Sequence, residues 1–214
     1  SCPGVNPLEP KHVIRSVRYW REKHPDAAIV VIPHWNYEME LYPQPAHRQL
    51  AYAVIDAGAC AVIGHHPHRV GGIEIYRGCP IVYSLGNWWL PQGTFFNGKL
   101  VYDSAANLQL ALEWSPGEEP VLHWFTYDPS KHSLSYIGSE HLSESDVIKQ
   151  ITPFAGMTHE EYVDWFRTNR VKRKLLPIYT DYRHSAANAV KDLFVHVRHW
   201  SVLGLKRIAK KGRG

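Results

Sequence analysis

Hydrophobic positions in the first third of this 214-residue chain recur first at helical and then at strand spacing. Over residues 10–24, Val13, Val17 and Trp20 share one stripe with charges opposite, which predicts an amphipathic helix; Pro10 lies near its start and Pro25-Asp26 breaks it. Residues 28–32 are an unbroken apolar run between turn residues and predict a buried strand. Its carboxyl end delivers Pro33-His34-Trp35, and open α/β sheets place their ligands at such ends. A second helix is predicted over 43–57, with Leu50, Val54 and Ile55 facing inward and Gly58 ending it. Residues 59–63 then predict a second buried strand, which runs into Gly64-His65-His66-Pro67-His68. Two strand-then-loop units thus aim histidines at one sheet edge.

After Gly71 the period shortens. Ile73-Glu74-Ile75-Tyr76 alternates, Arg77-Gly78 turns and Pro80-Ile81-Val82-Tyr83 returns, the pattern of a hairpin. Residues 100–114 and 120–127 are two further strand candidates, split by Ser115-Pro116-Gly117. A βαβ start followed by antiparallel strands predicts an α/β sandwich rather than an all-parallel sheet. Residues 143–170 read as helical, with Ser143 and Thr158 as N-caps, each followed three residues later by an acid, Asp146 or Glu161. A basic helix is predicted over 185–211, and the stretch 175–184, with Pro177, reads as a linker. The expected division is a body over 1–142 and a helical, basic extension over 143–214.

Composition adds limits. Hydrophobic residues at 44% and charged residues at 21% are ordinary for a globular protein. No run of about 18 apolar residues offers a membrane span, and no signal-peptide pattern opens the chain. The chain starts at Ser1, so it reads as trimmed, processed or cut from a longer product. Cys2, Cys60 and Cys79 form an odd set without CxxC spacing; Cys60 and Cys79 read as small buried residues, and a reducing compartment is favoured over a disulfide framework. The net charge of +4 divides into −7 over residues 1–166 and +11 over 167–214.

Three histidines within four positions on a loop after a buried strand are hard to explain by packing. His66 and His68 stand at i and i+2, so an extended loop would point both imidazoles the same way. Such a pair suits a divalent zinc, manganese or iron ion; the bland alternative is a hydrogen-bonded structural loop. His34 alone reads as structural, but adjacent parallel strands would bring it to the same place. Glu38 could bind metal, orient an imidazole or be solvated, and Glu40 is expected to face water.

At this point a resemblance emerges. Pro33-His34-Trp35-Asn36-Tyr37-Glu38, Ile55-Asp56-Ala57-Gly58-Ala59, Gly64-His65-His66-Pro67-His68, Gly72-Ile73-Glu74-Ile75-Tyr76 and Pro80-Ile81-Val82-Tyr83-Ser84-Leu85-Gly86-Asn87 follow one another in order and spacing. This run, over roughly residues 10–112, resembles the C-terminal half of the CapA family, the poly-γ-glutamate capsule biosynthesis proteins, which are similar to calcineurin-like metallophosphoesterases. The resemblance implies a metallophosphoesterase-like four-layer α/β/β/α sandwich with a dinuclear metal site of manganese, iron or zinc. It implies His34, His66 and His68 as metal ligands, with His65 adjacent, and Asn87 near the site; a turn residue is the other reading of Asn87, and His65, Glu38 and Asn87 are the candidate catalytic groups. The family's His-Trp-Gly block has Asn36 in place of Gly, and its upstream motifs, which supply the bridging ligand, are absent here. A missing N-terminal half, in the same or a separate chain, is therefore an expected partner.

Three functional readings remain open at this level. One is a metal-dependent hydrolase of a phosphoester or related acyl bond, acting on an anionic polymer or small phosphorylated substrate, with two metals about 3.5–4 Å apart. Another is a non-catalytic assembly or export component with a structural or vestigial metal site. The third concerns residues 190–214 alone, which could lie on an anionic membrane, bind a polyanion, or pack on the body with a solvated basic face. No recognised module accompanies that charge, which argues against nucleic acid. Location reads as bacterial cytoplasm or cell envelope. Ser84 and Ser139 lack a Gly-x-Ser-x-Gly setting. Trp88-Trp89 and Phe95-Phe96 are expected either in a core or interface or along a groove for a sugar or polymer.

Overall fold

The computed structural model describes residues 8–90, 101–171, 176–183 and 185–211, the side chains of His199 and 202–211 excepted. Cys2, Phe95 and Phe96 therefore lie outside the described residues.

The first helix, α1, spans Pro10–Lys23. Glu9 caps it, its carboxylate accepting from the backbone N–H groups of Lys11 and His12, and Pro10 occupies a first-turn position where no N–H is needed. Helix α2 spans Pro45–Asp56 and connects strand β1 (Val30–Val31) to the parallel strand β2 (Ala61–Ile63). The predicted hairpin is present as β3 (Ile73–Tyr76) and β4 (Cys79–Val82). These strands form one sheet in the order β1-β2-β4-β3, with β2 and β4 parallel.

A second, antiparallel sheet contains β5 (Leu108–Glu113), β6 (Val121–Asp128) and β7 (Ser133–His141). Sequence reading missed β7, because Tyr136-Ile137-Gly138 is its only apolar stretch and much of the strand is exposed.

Alternation along the central strands sorts the layers. Val62 and Ile81 join a cluster with Val17, Leu50, Ala51 and Val54 of α1 and α2. Val82 and Ile73 join Leu110, Leu122 and Trp124 of the second sheet. Helices thus cover one face of the first sheet and the second sheet covers the other: a mixed α/β architecture. Each fully buried Leu or Val contributes about 1.5–3 kcal/mol relative to exposure.

Residues between Ile148 and Phe166 are built into this core. Helix α3 spans Asp146–Ile151 and α4 spans His159–Asn169, with Phe154, Tyr162 and Phe166 in the same cluster as Val54 and Tyr83. Thr158 and Glu161 make the expected capping box, whereas Ser145, not Ser143, caps α3. At the centre, Glu74 accepts from Arg48 Nε at 2.9 Å and Nη2 at 2.8 Å, and from the hydroxyls of Tyr52 at 2.8 Å and Tyr83 at 2.6 Å. Arg48 Nη1 also donates to Met157 O at 2.9 Å. This buried pair ties α2, β3, β4 and the turn before α4 together.

Three expectations need correction. The apolar run 28–32 is not buried: β1 is an edge strand, and Ile32 is 66% exposed, because nothing pairs beyond it among the described residues. Glu40 does not face water; it is 1% exposed and accepts from the N–H groups of Tyr42 and Val171. Cys60 and Cys79 are free but half-buried, Cys60 accepting from Arg21 Nη2 at 3.2 Å.

Candidate metal centre

Two parallel strand ends build the site. The β1–β2 ladder continues past the strands: Pro33 O accepts from His65 N–H at 2.9 Å, and His65 O from Trp35 N–H at 3.1 Å. His34 and His65 thereby face each other as a parallel bridge. Beneath them, buried Trp35 donates Nε1–H to Tyr83 O at 3.1 Å. Gly64 is required here, since a Cβ would collide with Tyr83 O and Trp35 Nε1. The glycine lets the chain cross the indole and release the histidine loop above it.

The rings of His34 and His66 approach to 4.6 Å between centroids, and those of His66 and His68 to 5.6 Å. The route differs from the extended loop expected. His66 and His68 both have positive φ, 100° and 58°, so the backbone turns sharply around Pro67. Non-glycine residues in that region carry about 1–3 kcal/mol of strain each, and such strain collects at functional sites. Asn36 sits nearby at φ 71°, with Nδ2 donating to Tyr42 O at 2.9 Å. Asparagine tolerates this conformation better than other side chains, which accounts for Asn36 where the resembling family has glycine.

Burial lowers the pKa of His66, and the neighbouring His34 and His68 lower it further against an opposing pull from Glu38. Burial, then His34, likewise lowers that of His65. These rings are thereby kept neutral, the form that offers a lone pair to a metal. His68 Nδ1 lies 2.7 Å from Asn87 Oδ1. An amide oxygen only accepts, so the pair assigns a proton to Nδ1 and makes Nε2 the lone-pair nitrogen of the neutral ring.

Asn87 is itself held. Gln109, fully buried on β5, accepts through Oε1 from the N–H groups of both Asn87 and Trp88, and donates Nε2–H to Ala106 O at 2.6 Å. Tyr102 stacks on His68 at 4.9 Å and hydrogen-bonds to Glu38, which is exposed and so meets the histidines partly through that phenol. His47 stacks on Trp35 at 5.2 Å; burial, reinforced by His66, pushes its pKa down to about 4. Sequence reading singled out none of Gln109, Tyr102 or His47. Only the helical phase of His47, on the face that carries buried Leu50 and Val54, could have drawn attention to it.

The donor chemistry suits a borderline divalent ion: clustered imidazoles, one of them oriented by an amide. The buried Nδ2 of Asn87 has no hydrogen-bond partner among the described residues. The shell is incomplete, however. Among the described residues no group of three or more His, Cys, Asp or Glu side chains is arranged to hold a metal ion.

Comparison with known proteins decides the kinship. Residues 2–92 match the family model described as bacterial capsule synthesis protein PGA_cap. The chain is 45% identical over 93 residues to the PGA biosynthesis protein CapA of Bacillus subtilis, covering 44% of this chain and 24% of that protein. Residues 2–92 are a CapA-family segment. The capsule biosynthesis protein CapA of Bacillus anthracis is 36% identical over 93 residues, covering 42% of this chain and 23% of its own length. A probable polyglutamine synthesis accessory protein of Mycobacterium tuberculosis is 38% identical over 66 residues, 31% of this chain and 17% of that protein. The chain thus matches about a quarter of the length of the Bacillus relatives, and the family-model match over residues 2–92 contains every histidine of the site together with Asn87.

Proposed function

We propose that this chain carries the histidine side of a metal centre in a metal-dependent hydrolase of capsule or poly-γ-glutamate biosynthesis, acting on a phosphoester or related acyl bond. The observation that supports this reading is the 4.6 Å approach of His34 to His66 from the ends of two parallel strands. His34, His66 and His68 would hold the ion, which supplies Lewis-acid polarisation of the scissile group's oxygen. Asn87 fixes the ring of His68 through Nδ1. His65, kept neutral beside His34, serves as the proton-transfer group. Glu38 and Tyr102 close the side of the site next to His68.

The remaining ligands come from polypeptide outside this chain. A groove of about 810 Å3 between α1 and β1, lined by Val13, Val17, Trp20, Ile29 and Ile32, leads to His34. Packing of that upstream polypeptide along the groove and the open edge of β1 would complete the metallophosphoesterase-like α/β/β/α sandwich and its dinuclear site. Manganese, iron and zinc all suit the imidazole ligands.

Hydrolysis of an aryl phosphate with added manganese tests the reading, in a protein that includes the upstream polypeptide. His66→Ala/His68→Ala is expected to lower turnover more than about a hundredfold; equal rates would end the proposal. The incomplete shell favours one competing reading, a non-catalytic assembly component with a structural ion. Its signature is metal bound in stoichiometric amount with no turnover on phosphate or glutamyl substrates.

A further inference from the structure

The last helix, α5 (Ala186–Lys211), is docked with its polar side inward. Asn188 is buried, its Nδ2 donating to Asp181 O at 2.8 Å and Arg183 O at 3.1 Å. Asp192 accepts from the Tyr179 hydroxyl at 2.7 Å, and the Lys191 ammonium lies 5.6 Å from the Tyr179 ring centroid. Facing the other way, Val190, Leu193, Phe194, Val197 and Trp200 are between 46% and 67% exposed. At 100° per residue these five fall within one 120° stripe, following the 3–4 spacing of an apolar helix face. A helix that only packed on the body would show the reverse arrangement.

Charge selects the occupant. The helix contains six Lys or Arg and a single acid, Asp192, within a segment, 167–214, of net charge +11. An apolar stripe bearing Leu, Phe and Trp on a cationic helix matches the boundary of an anionic bilayer, where the stripe enters the acyl region and the basic residues meet headgroup phosphates. Trp200 suits that depth, since an indole is apolar in body and polar at its N–H. No helix among the described residues is long and apolar enough to cross a membrane, so the contact is with the surface.

We infer that α5 is an interfacial helix that seats this protein on anionic lipid surfaces. The inference is independent of the metal centre.

Co-sedimentation of the full chain with phosphatidylcholine vesicles, with and without phosphatidylglycerol, tests it. Binding to the anionic vesicles is expected to exceed binding to neutral ones at least about tenfold and to weaken as salt rises. Leu193→Glu/Val197→Glu is expected to abolish the difference while leaving the unfolding midpoint in place, because both positions are exposed. A charge variant, Lys206→Glu/Arg207→Glu/Lys210→Glu/Lys211→Glu, is expected to do the same with all five stripe residues left in place. Equal sedimentation with both vesicle types, or anionic binding unchanged by the stripe variant, overturns the inference. So does a lipid-free dimer that the stripe variant dissociates, since the apolar face would then belong to a second copy.

Discussion

The 2.7 Å contact between His68 Nδ1 and Asn87 Oδ1 links the histidine loop to the end of the hairpin. It fixes the imidazole's tautomer, and Gln109 fixes the asparagine in turn through two backbone N–H groups. The two contacts form a positioning chain from the second sheet to the histidine loop at the edge of the first.

Asn87→Leu therefore leaves the fold intact but frees the His68 ring. Zinc affinity by isothermal titration is expected to fall about 10–100-fold, while Asn87→Asp, which keeps the acceptor, retains most of it.

Gly64→Ala tests the crossing over Trp35. The added methyl meets a carbonyl oxygen and an indole nitrogen, neither at the end of a flexible chain. Chemical denaturation is expected to show a loss of about 1–3 kcal/mol, with the His34–His66 pairing weakened in parallel.

The Arg48–Glu74 pair is buried on both sides and shared with two tyrosine hydroxyls. Removing one partner strands the other charge, so Arg48→Met is expected to cost about 3–5 kcal/mol. Arg48→Met/Glu74→Leu, which removes both charges, is expected to recover part of that loss in the same denaturation assay.

His47 confers a pH dependence with a definite sign. Its pKa is about 4 when folded and near 6.5 when unfolded, so between those values the unfolded chain binds the extra proton. Stability from this residue is complete above about pH 6.5 and is lost as pH falls towards 4, by up to about 3 kcal/mol. His47→Phe is expected to flatten the wild-type difference in unfolding free energy between neutral and acid pH.

Much of this was legible in the residues. The helices α1, α2 and α5, the β2 strand, the hairpin and the meeting of two histidine loops follow from periodicity and from Gly and Pro punctuation, all of which act locally. The helical stretch 143–170 is two helices, separated at Pro153 and Gly156; Thr158 caps the second as expected, and Ser145 rather than Ser143 caps the first. Other features depended on tertiary neighbours. Residues 28–32 carry the apolar signature of a central strand yet form the sheet's edge among the described residues. Glu40 carries the signature of a solvated acid yet accepts two backbone hydrogens. Gln109 sits on a strand where a polar residue reads as outward-facing, and only the returning hairpin gives it something to hold.

X-ray absorption at the zinc edge of the zinc-loaded chain tests the proposed shared cation directly. Imidazole scattering from at least two nitrogens at about 2.0 Å, lost in His66→Ala/His68→Ala, is the expected result. A shell of oxygens alone, unchanged by that substitution, would contradict the convergence of the two loops on one ion.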